Sequence, residues 1–180
     1  MSPPIPPLIE KTLRHFWTCE FTTLAKDGTP ITWPVYPMYL ARRGQILIAS
    51  PIGYPQKALH VRRNPRVSLL YSEPTGSGLT SPARVLIQGL AEAPDTIHTS
   101  SDASDPEIFA EVLGQIKRVM KYQPNTTIYL ANPFTQWLMD WYFMRLTILV
   151  TPIRIRWWEG EDFSLRPHDW PLKQEAEHVG

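Results

Sequence analysis

Cysteine is nearly missing from this chain, and so is any excess of charge. The single thiol, Cys19, has no partner within the chain, so no intramolecular disulfide can form and nothing requires an oxidising compartment. The 18 basic and 17 acidic residues leave a net charge of about +1. With so little net charge, the protein has no overall electrostatic attraction for nucleic acid or for an anionic membrane. Arg62, Arg63 and Arg66 alone are too few to form a nucleic-acid surface.

Long apolar runs are lacking as well. The run Trp141 to Val150 is too short to span a bilayer and contains Arg145. The first residues show neither the charged segment nor the apolar segment of a secretory signal. We therefore expect a soluble, cytoplasmic protein with no membrane partner and no nucleic-acid partner.

Several motifs of metal and nucleotide sites are absent. The sequence contains no Cys-x-x-Cys, no His-Glu-x-x-His and no glycine-rich phosphate loop of the Walker or Rossmann type. We expect no metal site. Cys19 falls in a predicted strand without a basic neighbour in sequence, which favours a buried structural thiol.

Proline, in contrast, is abundant, with 19 residues spread along 180. Such a distribution favours short strands joined by turns. The apolar and β-branched pattern predicts strands at 17–25, 31–40, 46–49, 67–71, 84–93, 146–151 and 153–158. Asp27-Gly28 predicts a hairpin between the first two, and Pro34 and Pro37 make the second an edge strand or a bulged one.

Helical patterns are fewer and lie outside the strand-rich part. They predict a short helix near 8–16, a second from Pro55, a third that starts at Asp105-Pro106 with a capping-box pattern, and a fourth at 132–142. We therefore predict one domain over 1–180, mainly β (α+β). Its core is a β-barrel of six or more antiparallel strands with peripheral helices, and a helical insertion lies at about 105–142.

The stretch from Gln45 to Tyr71 is the most informative, because it predicts a strand, a tight turn, a short basic helix and a second strand. Ser50, Gln56 and Lys57 lie around the turn. Free N–H groups at the helix start, together with a lysine, can hold an anion there. The alternative is an ordinary strand–helix connection with a solvated lysine.

The order of these features resembles the pyridoxamine 5'-phosphate oxidase-like superfamily. The resemblance covers about residues 12–93, returns at 152–169, and rests on Asp27-Gly28, the proline-bearing strand, Gly44, Lys57-Ala58, Asn64-Pro65-Arg66-Val67 and the run from Arg84 to Glu92. It implies a split β-barrel that binds flavin mononucleotide (FMN). It also implies a homodimer with the cofactor at the subunit interface.

The resemblance implies roles for individual residues. Gln56 and Lys57 stand where the family has an Arg-Lys pair on the FMN phosphate, and Ser50, after Ala49, stands in a threonine's place. Arg84 corresponds to a flavin-contacting residue and could supply a second cation. The strand lining the isoalloxazine corresponds to Trp33, Pro34, Val35 and Tyr36. Trp158 and Arg166 correspond to residues that reach the flavin from the partner subunit.

The implied function is an FMN-dependent oxidoreductase acting on an unidentified small organic molecule. Met38 replaces a lysine that contacts the substrate phosphate in the true oxidase, which counts against vitamin B6 oxidation. Two alternatives stay open: a non-catalytic flavin, deazaflavin or haem binding or sensing protein of the same fold, and a barrel that has lost its cofactor and acts as an interaction module. No catalytic residue is assigned, since His60 and His168 are each expected to be surface or structural histidines.

Overall fold

The structure is a computed structural model and describes residues 5–98, 105–112, 114, 144–160 and 162–170. The elements, in chain order, are α1 Pro7–His15, β1 Cys19–Leu24, β2 Pro30–Val35, β3 Pro37–Leu40, β4 Gln45–Pro51, α2 Gln56–Arg63, β5 Arg66–Tyr71, β6 Arg84–Glu92, β7 Ile97–His98, α3 over 106–112, β8 Arg145–Trp158 and β9 His168–Trp170. No helix in these ranges is both long enough and apolar enough to cross a membrane.

All strands belong to one antiparallel sheet with the order β2-β1-β5-β6-β8-β4-β3, and the short β7 and β9 both pair with β8. The two ends of this order, β2 and β3, are consecutive in the chain and separated only by Tyr36. The sheet must therefore curl until its ends meet at this residue, which produces a half-barrel. The predicted mainly β barrel of six or more antiparallel strands is confirmed.

The predicted strand 31–40 is divided in two, and its prolines explain why it lies at the ends of the sheet. Among the described strands, β2 pairs only with β1, and β3 pairs only with β4. A proline has no N–H to donate to a second neighbour, so Pro30, Pro34 and Pro37 are compatible with an edge. The expectation of an edge strand is confirmed.

The prediction of two strands at 146–151 and 153–158 is wrong, because β8 runs unbroken through Pro152. A bulge in β8 accommodates the proline: Gln88 of β6 pairs with Arg154, whereas the next residue, Gly89, pairs with Pro152. Ile153 is the extra residue of this bulge. Neither β7 nor β9 was predicted, because both strands are too short for a periodic pattern.

The main hydrophobic core lies inside the curl of the sheet, under α1 and α2. Its largest fully buried side chains include Ile9, Leu13, Phe16, Phe21, Ile46, Ile48, Leu69, Tyr71, Ile87 and Ile148. Cys19 is also buried there, as predicted for a structural thiol, and burial raises its pKa. The alternating inward residues of the strands supply most of this core.

A smaller core lies on the outer face, where α3 covers β3 and β4. Met38, Leu40 and Leu47 pack there against Ile108 and Val112. The predicted helix start is confirmed: the Asp105 carboxylate caps α3, accepting hydrogen bonds from the N–H groups of Glu107 at 3.1 Å and Ile108 at 3.2 Å. Arg43 of the β3–β4 turn pairs with Asp105, and with Glu107 at 3.2 Å. The rest of the predicted insertion, including a helix at 132–142, lies outside the described residues.

Tyr71 carries a polar atom that the core does not satisfy. Its side chain is fully buried, 6.2 Å from the Phe16 ring between centroids, and its hydroxyl has no hydrogen-bond partner among the described residues. Burial raises its pKa, so the hydroxyl stays neutral. A buried hydroxyl without a partner carries a desolvation cost of about 1–3 kcal/mol.

Replacing Tyr71 by phenylalanine should therefore raise the free energy of unfolding, by about 1 kcal/mol, since the ring is kept and the unsatisfied atom is removed. Urea denaturation measures the change. Tyr54→Phe is the control: Tyr54 is 75% exposed, and its hydroxyl is already solvated, so we expect a change within about 0.5 kcal/mol. A loss of stability in Tyr71→Phe would mean that the hydroxyl has a partner in solution.

Candidate functional site

The corner between β4 and α2 is built around a buried serine. Ser50 is fully buried, and its hydroxyl donates to the Tyr54 carbonyl oxygen at 3.1 Å. The Tyr54 N–H donates in turn to the Pro51 carbonyl oxygen at 3.0 Å. These two bonds fix the turn from which α2 starts. Since its one hydrogen is used in this way, Ser50 shapes the corner and does not donate to an anion in this arrangement.

Lys57, in the first turn of α2, holds its ammonium over an indole ring. Its Nζ lies 5.0 Å from the centroid of the Trp33 ring, within the range of a cation–π contact. The side chain is partly buried, and burial lowers its pKa. No carboxylate of the described residues lies within ion-pair distance of Lys57. Gln56 beside it is exposed.

Behind Trp33 lies a buried polar group that joins β1, β2 and α2. The Trp33 Nε1–H donates to the Thr23 hydroxyl oxygen at 3.4 Å, and that oxygen lies 2.9 Å from Nδ1 of His60. Thr23 is fully buried and His60 is 5% exposed. The centroids of the Trp33 and His60 rings are 6.5 Å apart. His60 is thus a structural histidine, one of the two roles expected for it.

Sequence reasoning missed Thr23, although two signals pointed to it. Thr23 follows Cys19 and Phe21 at every second position of β1, which places its hydroxyl among inward-facing side chains. His60 comes three residues after Lys57, so both lie on one side of α2. A hydroxyl and an imidazole that both face the interior are expected to pair.

The lowered pKa of His60 makes stability depend on pH. Burial, followed by the nearby Arg63 charge, lowers the pKa of His60 from its usual 6.5. Between that lowered value and 6.5 the unfolded chain binds a proton that the folded protein does not bind. The free energy of unfolding should therefore be highest above about pH 6.5 and fall as the pH drops below it.

Urea titrations between pH 7.5 and pH 5 measure this effect, and His60→Asn is the matched variant because it cannot titrate. We expect the wild-type protein to lose stability over this range more steeply than His60→Asn. Equal slopes would mean that His60 titrates alike in the folded and unfolded chain.

A second set of predicted site residues lies on the outer face of the sheet. Arg84 and Trp158 are cross-strand partners in β6 and β8, and Arg84 alternates with the core-facing Val85. Arg84 is 5% exposed and donates from Nη1 to the Pro82 carbonyl oxygen at 3.1 Å. The Trp158 ring meets the Phe163 ring edge-on at 5.1 Å, and its indole Nε1 is buried with no acceptor in the described part of the chain. Arg166 is exposed.

The remaining predicted residues divide between the two faces of the sheet. Val35 is buried in the main core, on the side of Trp33, whereas Pro34 and Tyr36 alternate to the other side. Ala49 packs on the outer face beside Tyr36, against the smaller core. The strand 33–36 thus presents different side chains to each face.

The described residues also line a pocket of about 200 Å³ next to Tyr36. It lies between the end of α1, the start of β3 and α3, and its lining includes Arg14, His15, Tyr39 and Glu111. Arg14 pairs with Glu10 at 2.8 Å and covers the Tyr39 ring at 5.5 Å. The positive charge of Arg14 in this pocket is therefore already paired with a carboxylate. No cluster of three metal-ligating side chains occurs in the described ranges.

Comparisons with known proteins identify the architecture. No family model matches the sequence, and no curated protein matches it. Solved structures do match. A protein from Clostridium acetobutylicum related to general stress protein 26, described as belonging to the pyridoxinephosphate oxidase family, has a TM-score of 0.53 at 12% identity, over 92% of this chain and 94% of the other. The fold is the pyridoxamine 5'-phosphate oxidase-like split barrel.

Two further structures support this identification. A conserved hypothetical protein from Mycobacterium tuberculosis has a TM-score of 0.53 at 21% identity, over 96% of this chain and 95% of that one. A heme binding protein from Mycobacterium smegmatis has a TM-score of 0.52 at 18% identity, over 92% of this chain and 58% of its own length. At such low identities the likeness establishes the split-barrel fold alone.

Proposed function

We propose that this split barrel binds FMN, with Lys57 on the phosphate. The observation that carries the proposal is the Lys57 ammonium, partly buried 5.0 Å from the Trp33 ring centroid with no carboxylate of the described residues to neutralise it. A cation taken partly out of water is stabilised by an anion that takes the place of the lost solvent. The first turn of α2 adds unpaired N–H groups on the same side.

The phosphate site has fewer side-chain donors than the family pattern would give. Gln56 carries no charge, and the Ser50 hydroxyl is used within the turn. Arg84 cannot supply the missing cation from the same chain, because it lies on the opposite face of the sheet, three strands along from Trp33. We therefore expect the backbone N–H groups and Lys57 to bind the phosphate in each protomer.

A homodimer accounts for the division of the predicted residues between two faces. In the proposed assembly the flavin phosphate lies at the corner of one protomer, and the outer face of a second protomer contributes Arg84, Trp158 and Arg166. We also propose a cytoplasmic location, since the buried Cys19 requires no oxidising compartment.

Bound flavin supplies hydride chemistry, and the protein's part is to bind and orient it. We propose a flavin-dependent oxidoreductase acting on a small organic molecule. Met38 is 3% exposed and packs in the smaller core, so it is not available to a substrate phosphate. This favours a reaction other than that of the true oxidase.

Haem is the second candidate, because a structural neighbour is described as a heme binding protein. Haem needs an axial ligand. His60, three residues from Lys57, is 5% exposed, so its imidazole is largely closed to a bound iron. This burial favours the flavin.

The deciding experiment is mass spectrometry and absorption spectroscopy of whatever leaves the purified protein on denaturation. Released FMN, with the masses of deazaflavin and haem absent, supports the proposal. Release of deazaflavin or haem instead would mean that the protein binds that cofactor and not FMN. A colourless protein that binds none of the three when they are added would refute cofactor binding. Light scattering on the loaded protein should give a dimer, and a monomer that retains FMN would refute the shared site.

A further inference from the structure

We propose that Thr23, Trp33 and His60 form a buried relay that positions Lys57, with His60 held as the neutral Nε2–H tautomer. The relay is a property of the folded chain by itself. Its consequence for a ligand rests on the proposed function, because Lys57 is the residue assigned to the phosphate. His60 acts through Thr23 and Trp33, so it is a positioning residue.

The tautomer follows from counting hydrogens. The indole N–H of Trp33 can only donate, so the Thr23 oxygen accepts that bond. The Thr23 hydroxyl has one hydrogen, and within the described residues its other neighbour is Nδ1 of His60, at 2.9 Å. If Nδ1 carried the proton, the Thr23 hydrogen would be buried without an acceptor, which is unfavourable. Thr23 therefore donates to Nδ1, and the imidazole proton lies on Nε2.

The position of Trp33 follows from the same bonds. Its N–H is tied to Thr23, and its ring lies 6.5 Å from the His60 ring, so the indole is fixed at one edge and supported beside it. The Lys57 ammonium lies 5.0 Å from the centroid of the same ring. A lysine side chain otherwise samples many rotamers, and a fixed indole restricts it to the few that cover the ring.

The relay also connects three elements, the paired strands β1 and β2 and the helix α2. Thr23 belongs to β1, Trp33 to β2, and Lys57 and His60 to α2. The Arg63 charge on the same helix disfavours a positive charge on the imidazole of His60. A neutral histidine is thus consistent with both the hydrogen bonds and the surroundings.

The first test is made on the wild-type protein, and a variant serves only to assign the signals. Long-range proton–nitrogen NMR on the unloaded full-length protein distinguishes the tautomers of His60, with its signals assigned by their loss in His60→Asn. We expect the neutral Nε2–H form at pH 7.5. The Nδ1–H form, or an imidazolium, would overturn the relay.

The second test follows Lys57 directly. Competitive acylation across a range of pH, read by mass spectrometry, gives the midpoint at which each lysine becomes reactive. Lys26, exposed in the β1–β2 turn, is the internal reference. In Thr23→Val and His60→Leu we expect the Lys57 midpoint to move up toward the ordinary lysine value. Thr23→Ser and His60→Asn, which keep the hydroxyl and an acceptor near the Nδ1 position, should leave it in place.

The outcomes separate the relay from the proposed function. An unchanged Lys57 midpoint in folded Thr23→Val and His60→Leu would overturn the relay. A shifted midpoint in a protein that ignores FMN would refute FMN binding and leave the relay standing. Where the wild-type protein binds FMN, we expect about tenfold weaker binding in Thr23→Val, and an unchanged affinity would refute the positioning role.

Discussion

Replacing Gly89 by alanine should destabilise the protein by about 2–3 kcal/mol, the upper part of the range for an overpacked core. Gly89 lies on the inward face of β6, where a Cβ atom would come within 2.6 Å of the Thr151 carbonyl oxygen and 2.9 Å of Val150 Cγ1. The first of these atoms is backbone. It can retreat only if β8 moves, and β8 is paired on one side with β6 and on the other with β4.

Thermal or urea denaturation of Gly89→Ala measures the loss, and Gly53→Ala is the control. A Cβ atom on Gly53 would meet nothing within 4 Å, and the glycine does not need a left-handed backbone. We expect Gly53→Ala to stay within about 0.5 kcal/mol of the wild-type protein. A Gly89→Ala variant as stable as the control would mean that the bulge next to Pro152 relaxes freely.

The same bulge explains why β8 was not predicted as one strand. A proline ordinarily interrupts a ladder, so the pattern around Pro152 predicts a break. What compensates is a bulge in β8 itself, where Ile153 is the extra residue opposite Gln88 and Gly89 of β6. The bulge depends on pairing with β6, a strand far away in sequence, and no local pattern around Pro152 indicates it.

The corner between β4 and β5 was predictable because its signals are local. Proline in the turn, a helix start at Pro55 and the Asn64-Pro65 pair after the helix each act on neighbouring residues. The structure contains the predicted strand, helix and strand, with α2 starting at Gln56. The contact between Lys57 and Trp33, by comparison, forms only when α2 folds over the sheet. The same holds for the bond between Thr23 and His60. Local patterns predict which strand or helix contains each of these residues, but they do not predict which strands and helices pack together.

A family resemblance predicts which residues contact the ligand, but it does not predict on which face of the sheet their side chains lie. Trp33, Pro34, Val35 and Tyr36 were given one role together, yet strand alternation sends Trp33 and Val35 to the core side and the other two outward. Arg84 and Lys57 were placed on one phosphate, although they lie on opposite faces. Both assignments are compatible with a single ligand only if two copies of the chain enclose it.

Replacing Lys57 by glutamine should weaken FMN binding tenfold to a hundredfold, because a charge-assisted hydrogen bond contributes about 1.5–3 kcal/mol and each 1.4 kcal/mol is a factor of about ten. The folded protein should not lose stability to the same extent, since the substitution also removes a partly desolvated charge. Fluorescence titration of FMN into the cofactor-free protein measures the affinity. Lys26→Gln, in the exposed hairpin turn, is the control and should bind as the wild-type protein does.

Riboflavin provides the sharper comparison, because it has the ring of FMN and lacks the phosphate. If Lys57 contacts the phosphate, the wild-type protein and Lys57→Gln should bind riboflavin equally, and the loss should appear with FMN only. The difference should also shrink as salt is added, because screening weakens a partly exposed charge pair. An equal loss for both ligands would place Lys57 against the ring. Unchanged FMN affinity would mean that the phosphate lies elsewhere and that the Lys57–Trp33 contact serves the fold alone.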